Sequence, residues 1–361
     1  MTVGDRMKDS STRSAKGKNM AARLASIRGA EHTAILGLGV YRPTRVVTND
    51  EVAGPIDSSD EWIRTRSGIK TRRFAGDDET VKSMSVAAGR DAIEAAEIEP
   101  AEIDCVIVAT STWLLLTPAA APQVATELGI TGAAAFDVSA GCAGFCHALA
   151  MASDLVKGGT ARHVLVVGVE KLTDTINPKD RGTAFLFADG AGAVVVGPSE
   201  EPGIAPTIWG SDGTQHHAIR QDKDWIEFFR EIDEQGTDAV RPYLAMEGTA
   251  VFRWAAHSLE KVCRDAVEVA GIEMGDLDAM IPHQANGRII EIMARVLKLP
   301  ESCALANDIE ETGNTSAASI PLAMEQLLRN GDAKPGGTAL LIAFGAGLSY
   351  AAQVVTLPNW K

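Results

Sequence analysis

Apolar residues along this chain come in short, unbroken runs. Cys105-Val-Ile-Val-Ala109, His163-Val-Leu-Val-Val-Gly168, Gly190-Ala-Gly-Ala-Val-Val-Val196, Ala279-Met-Ile-Pro282 and Leu340-Leu-Ile-Ala-Phe344 show no alternation with polar positions. Strands of that kind are buried on both faces, which calls for helices on each side of the sheet. An apolar helical run from Ala143 to about Val156 supplies one such helix. The pattern also repeats. Ile98-Glu-Pro-Ala-Glu-Ile-Asp104 introduces the first of these strands, and Ile272-Glu-Met-Gly-Asp-Leu-Asp278 introduces the fourth. Asp104 lies 38 residues before Cys142, and Asp278 lies 36 before Asn314; both Cys142 and Asn314 follow a glycine and open an apolar helix. Gly-Gly-Thr-Ala recurs at 158–161 and 336–339, each time ahead of an apolar strand.

Echoes in one order predict a duplicated α/β unit, with halves over 30–203 and 204–361. Matching strand and helix ends then meet at a pseudo-symmetric centre, where Cys142 and Asn314 face each other and His283 points in from a strand end. The stretch from about Ser211 to Glu247 breaks the pattern. It is polar and charged, carries Trp225, Phe228 and Phe229, and reads as an excursion or lid. Its His216-His217 pair reads as a solvated loop, since no acid or cysteine spacing accompanies it. Residues 1–29 form a basic tail without the apolar core of a secretory signal and read as a disordered extension.

Composition narrows the function. A chain of 361 residues is long enough for a large core. A net charge of −14 argues against general nucleic-acid affinity. No apolar stretch is long enough to span a membrane. Five scattered cysteines without a C-x-x-C pair point to a reducing cytoplasm rather than a disulfide framework. Gly37-Leu-Gly39 lacks the third glycine of a dinucleotide fingerprint, so a nicotinamide cofactor is not expected.

Cys142 is the candidate nucleophile. Ala140, Gly141, Ala143 and Gly144 clear space around the sulfur, and the start of a helix is expected to favour thiolate over thiol. Cys146, one turn on, reads as a small apolar packing residue. With His283 from Pro282-His-Gln-Ala-Asn286 and Asn314 from Gly313-Asn-Thr-Ser316, the chain holds one nucleophile, one imidazole and one carboxamide. That set suits carbon–carbon bond formation on thioesters.

Longer motifs carry a resemblance. Ser59-Asp-Glu-Trp62-Ile-Arg-Thr-Arg66-Ser-Gly-Ile69, Asp180-Arg181-Gly-Thr183, Ala188-Asp-Gly-Ala-Gly192, Gly313-Asn-Thr-Ser-Ala-Ala-Ser-Ile-Pro321 and Phe344-Gly-Ala-Gly347 resemble β-ketoacyl-(acyl carrier protein) synthase III, from about Thr33 to Leu357. Actinobacterial members are the most similar. The resemblance implies a thiolase-like fold of two βαβαβαββ halves in five αβαβα layers. It implies that Cys142 is acylated by an acyl-CoA and that His283 and Asn314 hold the enolate left when malonyl-(acyl carrier protein) loses CO2. Backbone N–H groups of Cys142 and of the loop with Ala346 and Gly347 would form an oxyanion site, with Phe344 beside the malonyl carboxylate. Trp62, Arg66, Arg181, Gly248 and Asn286 would contact CoA, which is a substrate; no metal or resident cofactor is implied. Arg253, Arg288 and Arg295, with Lys298, would form a basic rim for an acidic carrier protein.

Single residues separate relatives. Elongating synthases place a second histidine where Asn314 stands, and thiolases place a second cysteine in the last glycine loop. Hydroxymethylglutaryl-CoA synthases need an acidic base that no motif identifies. Ala346 replaces the middle glycine of some relatives. Thr117 takes the place of a bulky aromatic contributed across a homodimer, which implies a roomier acyl pocket. Primer length and branching stay open at this level. So does the choice among primary fatty acid synthesis, priming of a polyketide pathway and acyl transfer to a hydroxyl acceptor.

Overall fold

The computed structural model describes residues 27–359. The tail expected over 1–29 lies outside the described residues except for its last three. There, Gly29 N–H donates to Lys157 O at 3.0 Å, which docks this segment on a helix end.

Ten strands form two five-stranded sheets. The first contains β1 (His32–Tyr41), β2 (Cys105–Ala109), β3 (Ala134–Val138), β4 (Val164–Lys171) and β5 (Asp189–Ser199), in spatial order β1-β5-β4-β2-β3. The second contains β6 (Ile208–Ser211), β7 (Ala279–Pro282), β8 (Ala304–Leu305), β9 (Thr338–Phe344) and β10 (Ser349–Thr356), in order β6-β10-β9-β7-β8. Order and direction match strand for strand. In each sheet the first two neighbour pairs are antiparallel and the last two parallel. The connecting helices match too. Helices α1 (Val81–Ala95), α2 (Ala120–Glu127) and α3 (Gly144–Lys157) follow β1, β2 and β3. After the excursion, which holds α4 (Trp225–Gln235), helices α5 (Gly248–Val269), α6 (Gly287–Leu297) and α7 (Ser319–Asn330) repeat the scheme.

Burial explains the layers. β2 and β4 are buried along their whole length, as unbroken apolar runs require. One face of the first sheet packs on α1 and α2 through Met84, Ala88, Val124 and Leu165. One face of the second packs on α5 and α6 through Leu259, Met293 and Leu340. Between the sheets, α3 and α7 share a core that joins Leu149 and Ala152 to Ile320, Met324, Ile107 and Leu341. The result is the five-layer αβαβα arrangement.

The duplication positions the chemistry. Cys142 lies between β3 and α3, and Asn314 lies between β8 and α7. Each follows a glycine in the left-handed region: Gly141 at φ 53° and Gly313 at φ 66°. A side chain at Gly313 would also stand 2.9 Å from Arg72 Cβ and 3.1 Å from Ala188 Cβ. Asn314 is pinned beyond that turn, because its N–H donates to Leu186 O and Ala188 N–H donates to its carbonyl, both at 2.9 Å.

Gly331 offers a comparison, with φ 76° and open space around its missing side chain. Gly331→Ala should cost about 1–2 kcal/mol, the left-handed penalty alone. Gly313→Ala should cost more on two counts: its φ of 66° is paired with ψ −167°, a combination essentially confined to glycine, and overpacking adds about 1–3 kcal/mol. Denaturant unfolding of both variants checks the difference; equal losses would mean the turn before Asn314 is neither strained nor crowded.

Candidate active site

Strand and helix ends from both halves surround a cavity of about 460 Å³. Its inner wall is made by Cys142, His283, Asn314, Ser316, Phe344 and Ala346. Trp62, Arg66, Arg181, Asn286 and Arg288 also line it, and the arginines among them are exposed, which marks the mouth. Thus Cys142, His283, Asn314, Phe344, Ala346, Trp62, Arg66, Arg181, Gly248, Asn286 and Arg288 all reach one cavity. Gly347 does not line it; its φ of 70° turns the loop instead. Arg253 and Arg295 are exposed away from the lining, as is Thr117. Thr117 belongs to a surface loop with Leu114, Leu115 and Leu116, so any role at the acyl end depends on a second copy of the chain.

Two loops interlock behind the nucleophile. A side chain at Gly345 would stand 2.5 Å from Cys142 N, and one at Gly141 would stand 2.8 Å from Ala346 N. Backbone is therefore the only thing that fits between them. Gly345 N–H is committed to Ser349 O at 2.9 Å. Cys142 and Ala346, whose backbones meet the other loop at this seam, both line the cavity.

The polar groups have assigned orientations. His283 Nδ1 lies 2.7 Å from Ser319 Oγ, and that oxygen also accepts from Gln284 N–H at 3.3 Å. Nδ1 is the acceptor open to the Ser319 hydroxyl proton among the described residues, which assigns the imidazole proton to Nε2. Phe344 packs edge-on against the ring, with centroids 5.5 Å apart. Asn314 Oδ1 accepts from Ser316 N–H at 2.9 Å, and Nδ2 lies 3.4 Å from Ala285 O. The carboxamide thus presents its N–H side as the donor.

Burial decides the protonation states. Cys142 sits on a tight turn, Gly141–Ala143, ahead of α3. The thiolate expected there is corrected, because burial pushes the thiol up to about 12, opposed by the hydrogen bond that Ser316 can give the thiolate and helped by the Glu170 charge. At rest the group is a thiol. Burial drives His283 down to about 3, so its imidazole is neutral. Cys146 is fully buried with its pKa raised by desolvation, as a packing residue should be.

Near the mouth, the Arg181 guanidinium lies 4.7 Å from the centre of the Trp62 ring and that of Arg66 lies 5.6 Å away. Asn286 caps α6 through Arg288 N–H and donates from Nδ2 to Arg66 O at 3.0 Å. Arg288 stacks 5.7 Å from Phe252, a cavity residue.

Sequence reasoning missed several of these groups. The excursion is more than a lid, because Ile219, Leu244 and Met246 form a cavity wall. They sit in a two-stranded ribbon, Ile219–Gln221 with Leu244–Met246. His216 and His217 are exposed, and no cluster of three potential metal ligands occurs among the described residues. Ser316, Ser319 and Glu170 were also passed over. A glutamate within the apolar run Val164–Lys171 was the available signal for the last.

Known proteins resemble this chain over most of its length. Residues 136–213 match the family model described as 3-oxoacyl-[acyl-carrier-protein (ACP)] synthase III, and residues 267–357 match its C-terminal model. The chain is 58% identical over 335 residues to the β-ketoacyl-(acyl-carrier-protein) synthase III of Mycobacteroides abscessus, covering 93% of this chain and 98% of that protein. It is 56% identical over 336 residues to the mycobacterial β-ketoacyl-(acyl-carrier-protein) synthase III of Mycobacterium tuberculosis, covering 93% and 99%. Among solved structures, the priming β-ketosynthase of the R1128 polyketide biosynthetic pathway superposes with a TM-score of 0.89 at 48% identity, covering 93% of this chain and 99% of that one. The 3-oxoacyl-(acyl-carrier-protein) synthase III of Aquifex aeolicus gives 0.81 at 39% identity, covering 90% and 99%.

A pH effect follows from His283. Between its ordinary value of 6.5 and the folded value near 3, only the unfolded chain takes up this proton. This contribution to stability is present above pH 6.5 and is lost as pH falls through that window. His283→Asn should flatten this part of the stability-versus-pH curve measured by urea unfolding. An unchanged slope would show that the imidazole is not held neutral.

Proposed function

We infer that this chain, which belongs to the 3-oxoacyl-(acyl-carrier-protein) synthase III family, condenses an acyl-CoA primer with malonyl-(acyl carrier protein). The products are 3-oxoacyl-(acyl carrier protein), CoA and CO2, and the reaction initiates type II fatty acid synthesis. The observation that carries this reading is the meeting of one thiol, one neutral imidazole and one oriented carboxamide at the inner end of a single cavity.

Cys142 attacks the thioester carbonyl and takes the acyl group, dividing one hard condensation into two easier steps. Peptide N–H groups of Cys142 and Ala346 stabilise the tetrahedral oxyanion. After CoA leaves, the malonyl thioester places its carbonyl oxygen against His283 Nε2–H and Asn314 Nδ2–H. As CO2 departs, negative charge gathers on that oxygen, where two fixed donors meet it without reorganising. Phe344 gives the departing carboxylate an apolar wall, which favours loss of its charge. No step calls for a metal or a resident cofactor.

The mouth suits the rest of the substrate. Trp62 and the Arg181 guanidinium offer stacking surfaces for adenine, and Arg66 and Arg181 offer charge to the phosphates. Gly248 and Asn286 lie along the path of the pantetheine arm. Arg288 is the anchor for the acidic carrier protein, with Arg253 and Arg295 as outer steering charges. Leu114, Leu115 and Leu116 are 54%, 49% and 91% exposed beside Thr117, which supports a homodimer that covers this loop. Among the described residues no helix is long and apolar enough to cross a membrane, in keeping with a cytoplasmic site of action.

A second reading has support in the solved R1128 priming β-ketosynthase, which is 48% identical. In it the same chemistry primes a polyketide chain. The two readings differ in the primer accepted. A panel of acyl-CoA primers with malonyl-(acyl carrier protein), read by product mass, separates them. With the short side chain at 117, isobutyryl-CoA should match or exceed acetyl-CoA. Thr117→Phe should penalise the branched primers selectively, since overpacking costs about 1–3 kcal/mol. An equal loss for acetyl and branched primers would remove residue 117 from the pocket.

Two further outcomes test the chemistry itself. With acyl-CoA alone, mass spectrometry should find the acyl group on the peptide bearing Cys142; an adduct on Cys146, or none, would refute the nucleophile. His283→Ala and Asn314→Ala should each slow malonyl decarboxylation about a hundredfold or more while acylation persists. Variants that decarboxylate normally would contradict the scheme.

A further inference from the structure

Among the buried ionisable groups that the condensation scheme leaves without a role, Glu170 is the one whose charge acts on Cys142. Glu170, at the end of β4, is fully buried, with no exposed surface. Both of its oxygens are engaged. Oε2 accepts from Thr112 Oγ1 at 2.6 Å, from Ser111 N–H at 3.1 Å and from Thr110 Oγ1 at 3.3 Å. Oε1 accepts from Ser316 Oγ at 3.1 Å and from Ser111 N–H at 3.2 Å. The Thr112 hydroxyl itself accepts from Lys171 N–H at 2.9 Å, so its own proton points to the carboxylate. Ser316 is the link to chemistry. It lines the cavity with Cys142, and its turn packs on the Gly141–Ala143 turn that carries the sulfur. With its proton directed to Glu170, the Ser316 oxygen faces the thiol as an acceptor. A proton path from Cys142 S–H through the Ser316 hydroxyl to Glu170 is therefore open.

We propose that Glu170 is the proton acceptor for Cys142 during acylation, reached through the Ser316 hydroxyl, and that it returns the proton when condensation frees the sulfur. This rests on the condensing reading above. A thiol must lose its proton to become a nucleophile, and His283 is needed as a donor rather than as a base. As the Cys142 sulfur bonds to the acyl carbon, its S–H bond breaks. Ser316 takes that proton and passes its own to Glu170 Oε1. The bond from the acyl carbon to the CoA sulfur then breaks, and the departing thiolate takes a proton from water. In the second half the malonyl enolate forms the new carbon–carbon bond, and the bond to Cys142 breaks. The freed thiolate regains its proton through Ser316, and Glu170 is again a carboxylate. Glu170 acts through Ser316, so it is a positioning residue and relay terminus.

Its setting fits a proton that must go both ways. Burial raises the carboxyl to about 7, and the four hydroxyl and amide donors pull it back. Few other charges face it. Across β5 its partner in register is Gly190. Lys171 directs its ammonium to Gly76 O, and the Asp189 carboxylate is held by Ala75 and Thr173. From the loop after β2 and the turn before α7 it meets Thr110, Ser111, Thr112 and Ser316. Cys142 is the titratable neighbour it acts on.

Single-turnover acylation of the full chain by an acyl-CoA, without malonyl substrate, tests the relay across pH 5–9. The wild-type rate should rise through about pH 7. Glu170→Gln keeps the shape and removes the proton acceptor, so acylation should fall about a hundredfold and the rise should disappear. Ser316→Ala should give a similar fall if Glu170→Gln folds poorly, and Glu170→Asp should restore part of the pH-dependent rate. Malonyl decarboxylation, measured separately, should fall far less than acylation in each variant. Wild-type acylation rates in both Glu170→Gln and Ser316→Ala, or equal losses of acylation and decarboxylation, would overturn the relay. Absence of any Cys142 adduct in the wild type would instead overturn the condensing reading itself.

Discussion

Exclusion of water from the inner end of the cavity sets the state of each group that works there. Desolvation penalises charge whichever its sign, so the thiol of Cys142 rises, the imidazole of His283 falls and the carboxyl of Glu170 rises together. In water these three groups would be a thiol with a small thiolate fraction, a partial imidazolium and a carboxylate. Here the resting site is a thiol beside a neutral imidazole. That is the arrangement a decarboxylation needs, because a neutral Nε2–H stabilises an enolate as its charge appears without first binding the carboxylate as an ion pair. The cost is that the nucleophile starts protonated, and a buried acceptor within hydrogen-bonding reach becomes necessary.

The duplicated fold supplies these groups in matched positions. The loop after β2 carries Thr110, Ser111 and Thr112; the loop after β7, its counterpart, carries His283 and Gln284. The end of β4 carries Glu170; the end of β9 carries Phe344 and Gly345. The turns before α3 and α7 carry Cys142 and Asn314. In the proposed reading, one half builds the nucleophile and its proton path, and the other builds the enolate donors. The two jobs meet because Gly141 and Gly345 remove side chains from the seam, letting backbone touch backbone there. Ser316 crosses the seam, joining the second half's turn to the first half's carboxylate.

Most of this frame was legible in the sequence because it rests on periodicity. Unbroken apolar runs gave the two-faced sheets, and the repeated Asp-strand-Gly spacing gave the pairing of Cys142 with Asn314. Site residues at the ends of those runs, such as His283, came with the frame. What escaped depended on competition between effects that sequence does not weigh. A helix start suggested a thiolate at Cys142, but burial outweighed the dipole. Gly347 was taken with its loop, although its left-handed backbone turns it from the cavity. The polar excursion hid Ile219, Leu244 and Met246, whose apolar side chains become a wall only once the ribbon folds over. Glu170 was visible as an acid inside an apolar strand, yet only its partners give it meaning.

Two solvents govern the two ends of the cavity, and they demand different side chains. At the exposed mouth water screens each charge, so a single lysine-like point charge would recognise little. Arg66, Arg181 and Arg288 offer planar guanidinium groups that stack on Trp62 and Phe252 while presenting several donors. In a chain of net charge −14 these cations stand against the overall field, so an anionic ligand gains most by approaching them directly. At the inner wall an unpaired charge of that kind would be prohibitively expensive. There the donors are an imidazole, a carboxamide and peptide groups, neutral until the reaction itself creates the charge they stabilise. In the proposed reading, recognition by permanent charge and catalysis by neutral dipoles are thus separated along one cavity. The length of the substrate's pantetheine arm is what allows a single molecule to use both.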